Sequence, residues 1–409
     1  MVKNTIVCLL AGGAGERLYP LTRDRAKPAV TFGGIYRIID ITLSNCINSD
    51  LRRIFVLTQY KALSLNRHIR EGWSMLAGEL GEFVQILPPM MRVGDYWYRG
   101  TADAIFQNIY SIGSEPCKYV MILSGDHVYK MNYQLMIQRH IDAGAEATVG
   151  VIEVDLGEAS RFGVVELDSH HRIVGWQEKP PDPKPSPHHP DKCYASMGIY
   201  CFNREVLLKC TIEDAEDPNS NHDFGKDIIP KLLKRGNVYA YDFVDENKKE
   251  AQYWRDIGTL GAYYEANMDL VAISPVFNQY DSSWPIRTYQ RQYPPAKFVF
   301  AQEGRRMGIA VDSLVSSGSI ISGGRVTRSI ISPNVRVNSY TDIEGSILFS
   351  HVDVGRYSRI RRAIIDRHIN LPEHTEIGYD LEEDRKKYHV TDDGIVVVVP
   401  ERRMFEEPE

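Results

Sequence analysis

Beyond Pro294 helical periodicity disappears from the chain, and aliphatic residues recur about every six positions: Ile320 and Val326, Val337 and Ile343, Val354 and Ile360, then Ile365, Leu371 and Ile377. Small and polar residues fill the intervals. Hexapeptide spacing of short strands predicts a parallel β-helix, in which each rung stacks its aliphatics on the next. The register slips by a residue in places, so loops or imperfect coils are expected. From residue 4 to about 272 the pattern is different. Strand-length apolar runs (Thr5 to Leu10, Ile54 to Leu57, Phe83 to Leu87, Tyr119 to Leu123, Thr148 to Val154, Val238 to Phe243) alternate with helical patterns (Leu63 to Trp73, Ala102 to Ile112, Tyr133 to Ala143, Phe224 to Lys234, Leu260 to Leu270). That alternation predicts an α/β domain with a mostly parallel sheet covered by helices on both faces. The expected organisation is a catalytic domain over 1–272, an aperiodic linker over 273–295 and a β-helix domain over 296–409.

A chain of 409 residues is comfortable for two domains that each bury a core. With 54 acidic against 48 basic residues and a net charge of -6, the composition argues against a nucleic-acid binder. Any anion site must therefore be built locally. Six cysteines without a CxxC pair read as free thiols in a reducing compartment, with no structural metal. No apolar run approaches the roughly 18 residues of a membrane span. The chain starts almost at its first strand, leaving no room for a signal peptide, so a cytoplasmic protein with no membrane partner is expected. The segment PPDPKPSPHHPDK at 180–192 cannot be helix or inner strand and reads as a solvated loop, His188 and His189 included.

Function concentrates in residues 11–34, AGGAGERLYPLTRDRAKPAVTFGG, directly after the first apolar run. Gly12, Gly13 and Gly15 let backbone N–H groups approach phosphate oxygens, and Arg17, Arg25 and Lys27 follow with positive charge. The spacing fits neither a dinucleotide fingerprint, since Leu18 stands where a third glycine is needed, nor a Walker loop, since Glu16 and Arg17 follow Gly15. An ordinary strand-to-helix turn is the plainer alternative. Asp126, in VMILSGDHVYK, also ends an apolar run, where ligands of open α/β sheets bind, although an Asp there is equally a helix cap. Glu178 and Lys179 in WQEKP pair an acid with a base. Pro180 is expected to hold Lys179 extended. DYWYRGTADA, at 95–104, brings aromatics to a helix start with Thr101 as its cap.

The stretch RLYPLT…RAKPAV…FGG resembles the signature of sugar-nucleotide pyrophosphorylases, and its RAKPAV form looks like the bacterial ADP-glucose pyrophosphorylase family. The resemblance spans nearly the whole chain. It implies a Rossmann-like nucleotidyltransferase domain followed by a left-handed parallel β-helix, and adenylyl transfer from ATP to glucose 1-phosphate for glycogen or another α-glucan. It further implies Mg²⁺ held by Asp126 and Asp256, with Arg17 and Lys27 acting with them in catalysis on the triphosphate. The nucleotide would lie on Gly12, Gly13, Gly15, Gln59, Gly100, Thr101, Ala102 and Asp103. Glucose 1-phosphate would meet Tyr98, Glu178, Lys179, Ser196, Tyr200, Asp223, Phe224 and Trp254, a mix of aromatic faces and fixed polar groups that suits a sugar. A sugar-phosphate or nucleotide effector would use Arg25 and Arg37, and the family is homotetrameric.

Two departures from the family pattern matter, one at the effector loop and one in the glycine loop. Relatives activated by fructose 1,6-bisphosphate carry a lysine before the RAKPAV arginine and a histidine after its valine, where this chain has Asp24 and Thr31; and Ala14 replaces an arginine common in bacterial relatives. Arg359, Arg361 and Arg362 could complete an effector pocket or form a solvated rung. Three rival readings remain open on sequence: transfer from UTP, dTTP or GTP; a regulatory subunit without turnover; and an acyltransferase using His351 or His368 as a coil base.

Overall fold

The computed structural model describes residues 1–90, 94, 96–186, 189–302 and 306–401, so His188 and the end of the expected β-helix domain lie outside the described residues. Close contacts divide the chain into two units that each collect several segments. The first holds Met1–Gly13, Ile41–Gly125 and Lys130–Lys248; the second holds Ala14–Asp40, Asp126–Tyr129 and everything from Lys249 onward. The division therefore differs from a cut at residue 272. Segments of the amino-terminal region pack with the coil, for reasons that lie in particular side chains described below.

In the first unit nine strands form one sheet: β1 (Thr5–Ala11), β2 (Arg53–Thr58), β3 (Phe83–Leu87), β4 (Tyr119–Ser124), β5 (Ala147–Asp155), β6 (Gly163–Leu167), β7 (Ile173–Glu178), β8 (Lys192–Asn203) and β9 (Val238–Asp242). The order is β7–β6–β8–β4–β1–β2–β3, with β5 joining both β8 and β9. β4, β1, β2 and β3 run parallel, as do β5 and β9. The long β8 pairs antiparallel with β4, β5 and β6. Ile6, Val7, Cys8 and Leu9 are all wholly buried, because helices cover both faces of the parallel part; hence the unbroken apolar run.

Three expected helices are shorter or more irregular than their patterns. The 102–112 pattern is two helices, Thr101–Gln107 and Ile109–Ser114, broken at Asn108. The Asn108 amide donates to Ala104 O at 2.9 Å and to Tyr98 Oη at 2.8 Å, competing with the helical ladder. The next begins as a π-helical turn, Phe224–Ile228, before Ile229–Leu233, and the last ends in a 3₁₀ turn after Met268.

In the second unit three sheets, parallel except for the terminal strand His389–Val390, wind into the left-handed β-helix, with strands stacked in the orders of successive coils. The inward residues are Ile321, Val326, Ile331, Val337, Ile343, Leu348, Val354, Ile360, Ile365, Leu371 and Ile377. From Val326 on, their intervals repeat as five, six and six, which explains the slipping register. Ile321, not Ile320, is the stacked residue. No described helix is long and apolar enough to cross a membrane, and all six cysteines are free thiols.

Candidate functional site

The glycine loop is shaped by Gly15 in the second unit. It sits at φ +67°, and a Cβ there would lie 3.0 Å from Lys27 Cβ and 3.1 Å from Thr22 Cγ2. Thr22 Oγ1 donates to Gly15 O at 2.8 Å, which folds the loop over the RAKPAV segment. Lys27 is nearly buried there, and its ammonium lies 2.7 Å from Asp126 Oδ2 and 3.8 Å from Asp256 Oδ1. Asp126 and Asp256 meet because a short antiparallel ribbon pairs His127–Tyr129 with Trp254–Asp256, in the register Asp256 to His127 and Trp254 to Tyr129. Arg17 Nη2 and Asp256 Oδ2 both lie within 3.4 Å of the place a Cβ on Gly258 would take, so Arg17 joins the same cluster.

The ribbon also brings in a residue that sequence reasoning passed over. His127 Nε2 lies 3.6 Å from Asp126 and 3.8 Å from Asp256, and its ring packs edge-on against Trp254 at 5.3 Å. One ligand atom from each of Asp126, His127 and Asp256 falls within 4.8 Å of the others, and His127 Nδ1 is buried without a hydrogen-bond partner. Two converging carboxylates fit a divalent cation that shares its remaining positions with water and phosphate oxygens. The signal for His127 was its place beside Asp126.

In the first unit Gly12 lies against Gln59, while nothing crowds Gly13. Gln59 Nε2 donates to Tyr98 O at 3.4 Å. Gly100 is fixed by close approach: a Cβ would stand 2.3 Å from His222 O and 2.7 Å from Asn221 O. Ala102 N donates to that same His222 O at 2.8 Å. Thr101 is not the helix cap. Its Oγ1 donates to Asp223 Oδ2 at 3.1 Å and accepts from Phe224 N at 3.0 Å. Asp103 takes the capping role instead, accepting from Arg99 N at 2.8 Å and Gln107 Nε2 at 2.9 Å, with its side chain fully buried. Burial raises the Tyr98 hydroxyl, partly offset by the Asn108 amide.

Asp223 Oδ1 accepts from Gly225 N and Lys226 N, capping the π-helical turn. Phe224 stacks under Tyr200 at 5.4 Å, and burial lifts the Tyr200 hydroxyl far above its usual range. A bulge in β8 between Ser196 and Tyr200, with Gly198 at φ +68°, re-aims this strand where the ASMGIY motif lies. Lys179 is not extended: it adopts φ +49° at the end of β7, its N donating to Phe162 O at 3.0 Å, so the backbone bond outweighs the preference before proline. Its side chain is 58% exposed, 4.0 Å from Glu178.

Arg25 and Arg37 are already engaged. Arg25 Nη2 donates to Asp366 Oδ2 at 2.6 Å, both side chains at most 5% exposed, and Arg37 Nη1 donates to Ala29 O at 2.7 Å. Arg359 and Arg361 lie over the Tyr379 ring and Arg362 over that of Tyr264. Both ring nitrogens of His351 have partners, Asn334 Nδ2 at 2.7 Å and Tyr293 Oη at 3.3 Å, which leaves it poorly suited to act as a coil base.

Comparison with known proteins finds two families along the chain. The Nucleotidyl transferase family matches residues 6–272, and the family described as GlmU-like, C-terminal hexapeptide matches residues 294–398. A "Glucose-1-phosphate adenylyltransferase" of Koribacter versatilis is 64% identical over 407 residues, covering 99% of this chain and 97% of that protein. One from Rhodopirellula baltica is 56% identical, covering 97% and 90%. A "Glucose-1-phosphate adenylyltransferase 2" of Vibrio cholerae is 51% identical, covering 99% of both.

Proposed function

The chain belongs to the nucleotidyl transferase family, among the glucose-1-phosphate adenylyltransferases, and from that premise we propose how its residues share the work. The reaction is ATP plus α-D-glucose 1-phosphate to ADP-glucose plus pyrophosphate. A phosphate oxygen of the sugar attacks the α-phosphorus in line, the bond to the bridging oxygen breaks, and pyrophosphate leaves with the electron pair. No protein nucleophile is needed, so positioning and charge carry the catalysis.

The observation that supports this division most is the Lys27 ammonium held 2.7 Å from Asp126 and 3.8 Å from Asp256. Asp126 and Asp256 would hold a divalent cation, Mg²⁺ in our reading, which when bound neutralises phosphate charge. Lys27 and Arg17 would then face the triphosphate, stabilising the charge that builds as pyrophosphate departs. Lys179, exposed and only loosely paired with Glu178, would take the sugar phosphate. Glu178 would accept from sugar hydroxyls, and the Tyr200–Phe224 stack would offer the apolar wall. Gln59 and the Gly100–Asp103 segment would face the nucleotide. Within it Asp103 Oδ2 bonds locally, to Arg99 N and Gln107 Nε2, and shapes the segment. We extend the proposal to a homotetramer that feeds glycogen synthesis and answers to an anionic effector, which would have to draw Arg25 away from Asp366.

Pyrophosphate release from glucose 1-phosphate and Mg²⁺ with each of ATP, UTP, dTTP and GTP tests the reading. ATP preference is expected. Preference for another nucleotide would reassign the donor, and no release with any would favour a regulatory subunit. Repeating the assay with fructose 1,6-bisphosphate, fructose 6-phosphate, pyruvate, 3-phosphoglycerate and AMP tests the effector.

A further inference from the structure

Asp214 lies near the end of the helix Arg204–Ala215 with only 2% of its side chain exposed, yet it is surrounded by donors. Ser220 Oγ donates to its Oδ1 at 2.6 Å, and His222 Nδ1 lies 3.0 Å from its Oδ2. A carboxylate can only accept, so the proton of that contact is assigned to Nδ1. The His222 backbone N donates to Ser220 Oγ at 2.9 Å, which closes a ring through three residues. Lys231 Nζ, 3.5 Å from Asp214 and 2.7 Å from Asp217, balances the charge. His222 itself is buried and sits at φ +55°, a backbone conformation that needs such holding.

What the ring holds in place is the other side of the same loop. His222 O accepts from Ala102 N and stands where Gly100 has no Cβ. The next residue, Asp223, receives Thr101 Oγ1, and Phe224 carries the Tyr200 stack. A second carboxylate, Asp227, braces the loop from Asn221 N and Asp223 N at 3.1 Å each. The reaction above uses neither Asp214 nor His222.

We infer that Asp214 and His222 are a positioning pair: they fix the 220–224 loop so that Asp223 and Phe224 meet the Gly100–Asp103 segment in the geometry that binds glucose 1-phosphate. This rests on the adenylyltransferase reading. Small displacements of substrate-positioning groups are enough to cost roughly tenfold or more in efficiency. A merely structural pair would lower the folded fraction, and with it kcat, while leaving KM where it was.

The test compares the whole enzyme with His222→Leu, which removes the donor, and His222→Asn, whose Nδ2 takes the place of Nδ1 and which tolerates positive φ. His222→Leu is expected to raise the KM for glucose 1-phosphate about tenfold with kcat within about threefold, and His222→Asn to restore KM to near the wild-type value. An unchanged KM in His222→Leu, or a raised KM that His222→Asn fails to restore, overturns the pair's role. Should His222→Leu not fold, His222→Gln keeps a donor but displaces it; a raised KM in that variant supports positioning and a wild-type KM refutes it. Wild-type enzyme without turnover would overturn the function reading and the pair's role with it, whereas active wild type with indifferent variants overturns the pair alone.

Discussion

Glu178 carries its charge where water is scarce. Burial raises its carboxyl above 4.5, Asp223 adds to the shift, and Lys179 and Lys226 oppose it. The folded state therefore holds this proton more tightly than the unfolded chain. Its contribution to stability is complete below about 4.5 and is lost as pH rises through the raised value. Glu178→Gln should for that reason be at least as stable as wild type at neutral pH, with the gap closing on acidification. It should also raise the KM for glucose 1-phosphate and remove that part of the acid-side rise in KM which belongs to this carboxylate. Thermal melts and KM measured across acid and neutral pH check both halves, and a variant less stable than wild type at pH 7 would contradict the first. The same residue shows why the site was only partly legible. Lys27, Asp126 and Asp256 stand out by their motifs, and the fold does bring them together. Asp103 reads as the same kind of residue, yet its Oδ2 is taken up by a helix start. His127, Asp214 and His222 escape because a sequence shows residue types but not which carboxylates already have partners.

Elements announce themselves when their burial is uniform along the chain and hide when it is interrupted. The parallel strands β1, β2 and β4 were legible since they are buried along nearly their whole length. β8, KCYASMGIYCFN, hides behind its bulge and Gly198, and the helix Ile38–Asn48 is buried on nearly every side, so it shows no polar stripe to betray its period. The coil lies between these cases. Its aliphatics are plain, but its true repeat of 17 residues appears only in how one rung bonds the next. Ser346 N donates to Ser329 Oγ, Ala363 N to Ser346 Oγ and Thr375 N to Ser358 Oγ, each pair 17 apart. Corners repeat at the same interval, so Tyr340, Tyr357 and His374 all have positive φ and stack at 4.9 and 5.1 Å, near the spacing of paired strands. The coil thus sets the stacking of His351 on His368 as well. Since Ser346 is wholly buried and its oxygen is the acceptor for Ala363 N, Ser346→Ala should cost about 1–3 kcal/mol by denaturant unfolding. A cost below about 0.5 kcal/mol would mean that the corner finds another acceptor.

At the scale of the molecule, the second unit is assembled from chain ends that only side chains could bring together. Arg25 and Asp366 are 341 positions apart, nearly inaccessible, and bonded at 2.6 Å. Tyr263, also buried, donates to Thr31 O, and Asn267 Oδ1 accepts from Gly33 N at 2.9 Å. These bonds tie the RAKPAV segment into the unit that contains the coil. A buried pair of this kind is not in itself a strong source of stability, since desolvation offsets much of the attraction. Removing one partner is another matter. Asp366→Ala takes the carboxylate from a buried guanidinium and should cost about 3–5 kcal/mol. Because Lys27 follows Arg25 by two residues, turnover should fall as well, although Asp366 is itself a coil residue. Replacing both with leucine should recover most of the stability, as an apolar contact takes the place of the pair. Urea unfolding of Arg25→Leu, Asp366→Leu and the double leucine variant gives the coupling directly. Additive losses would show that the two charges do not depend on each other. Recovery of stability without recovery of turnover would show that Arg25 holds Lys27 by the direction of its bond to Asp366, and not simply by filling space.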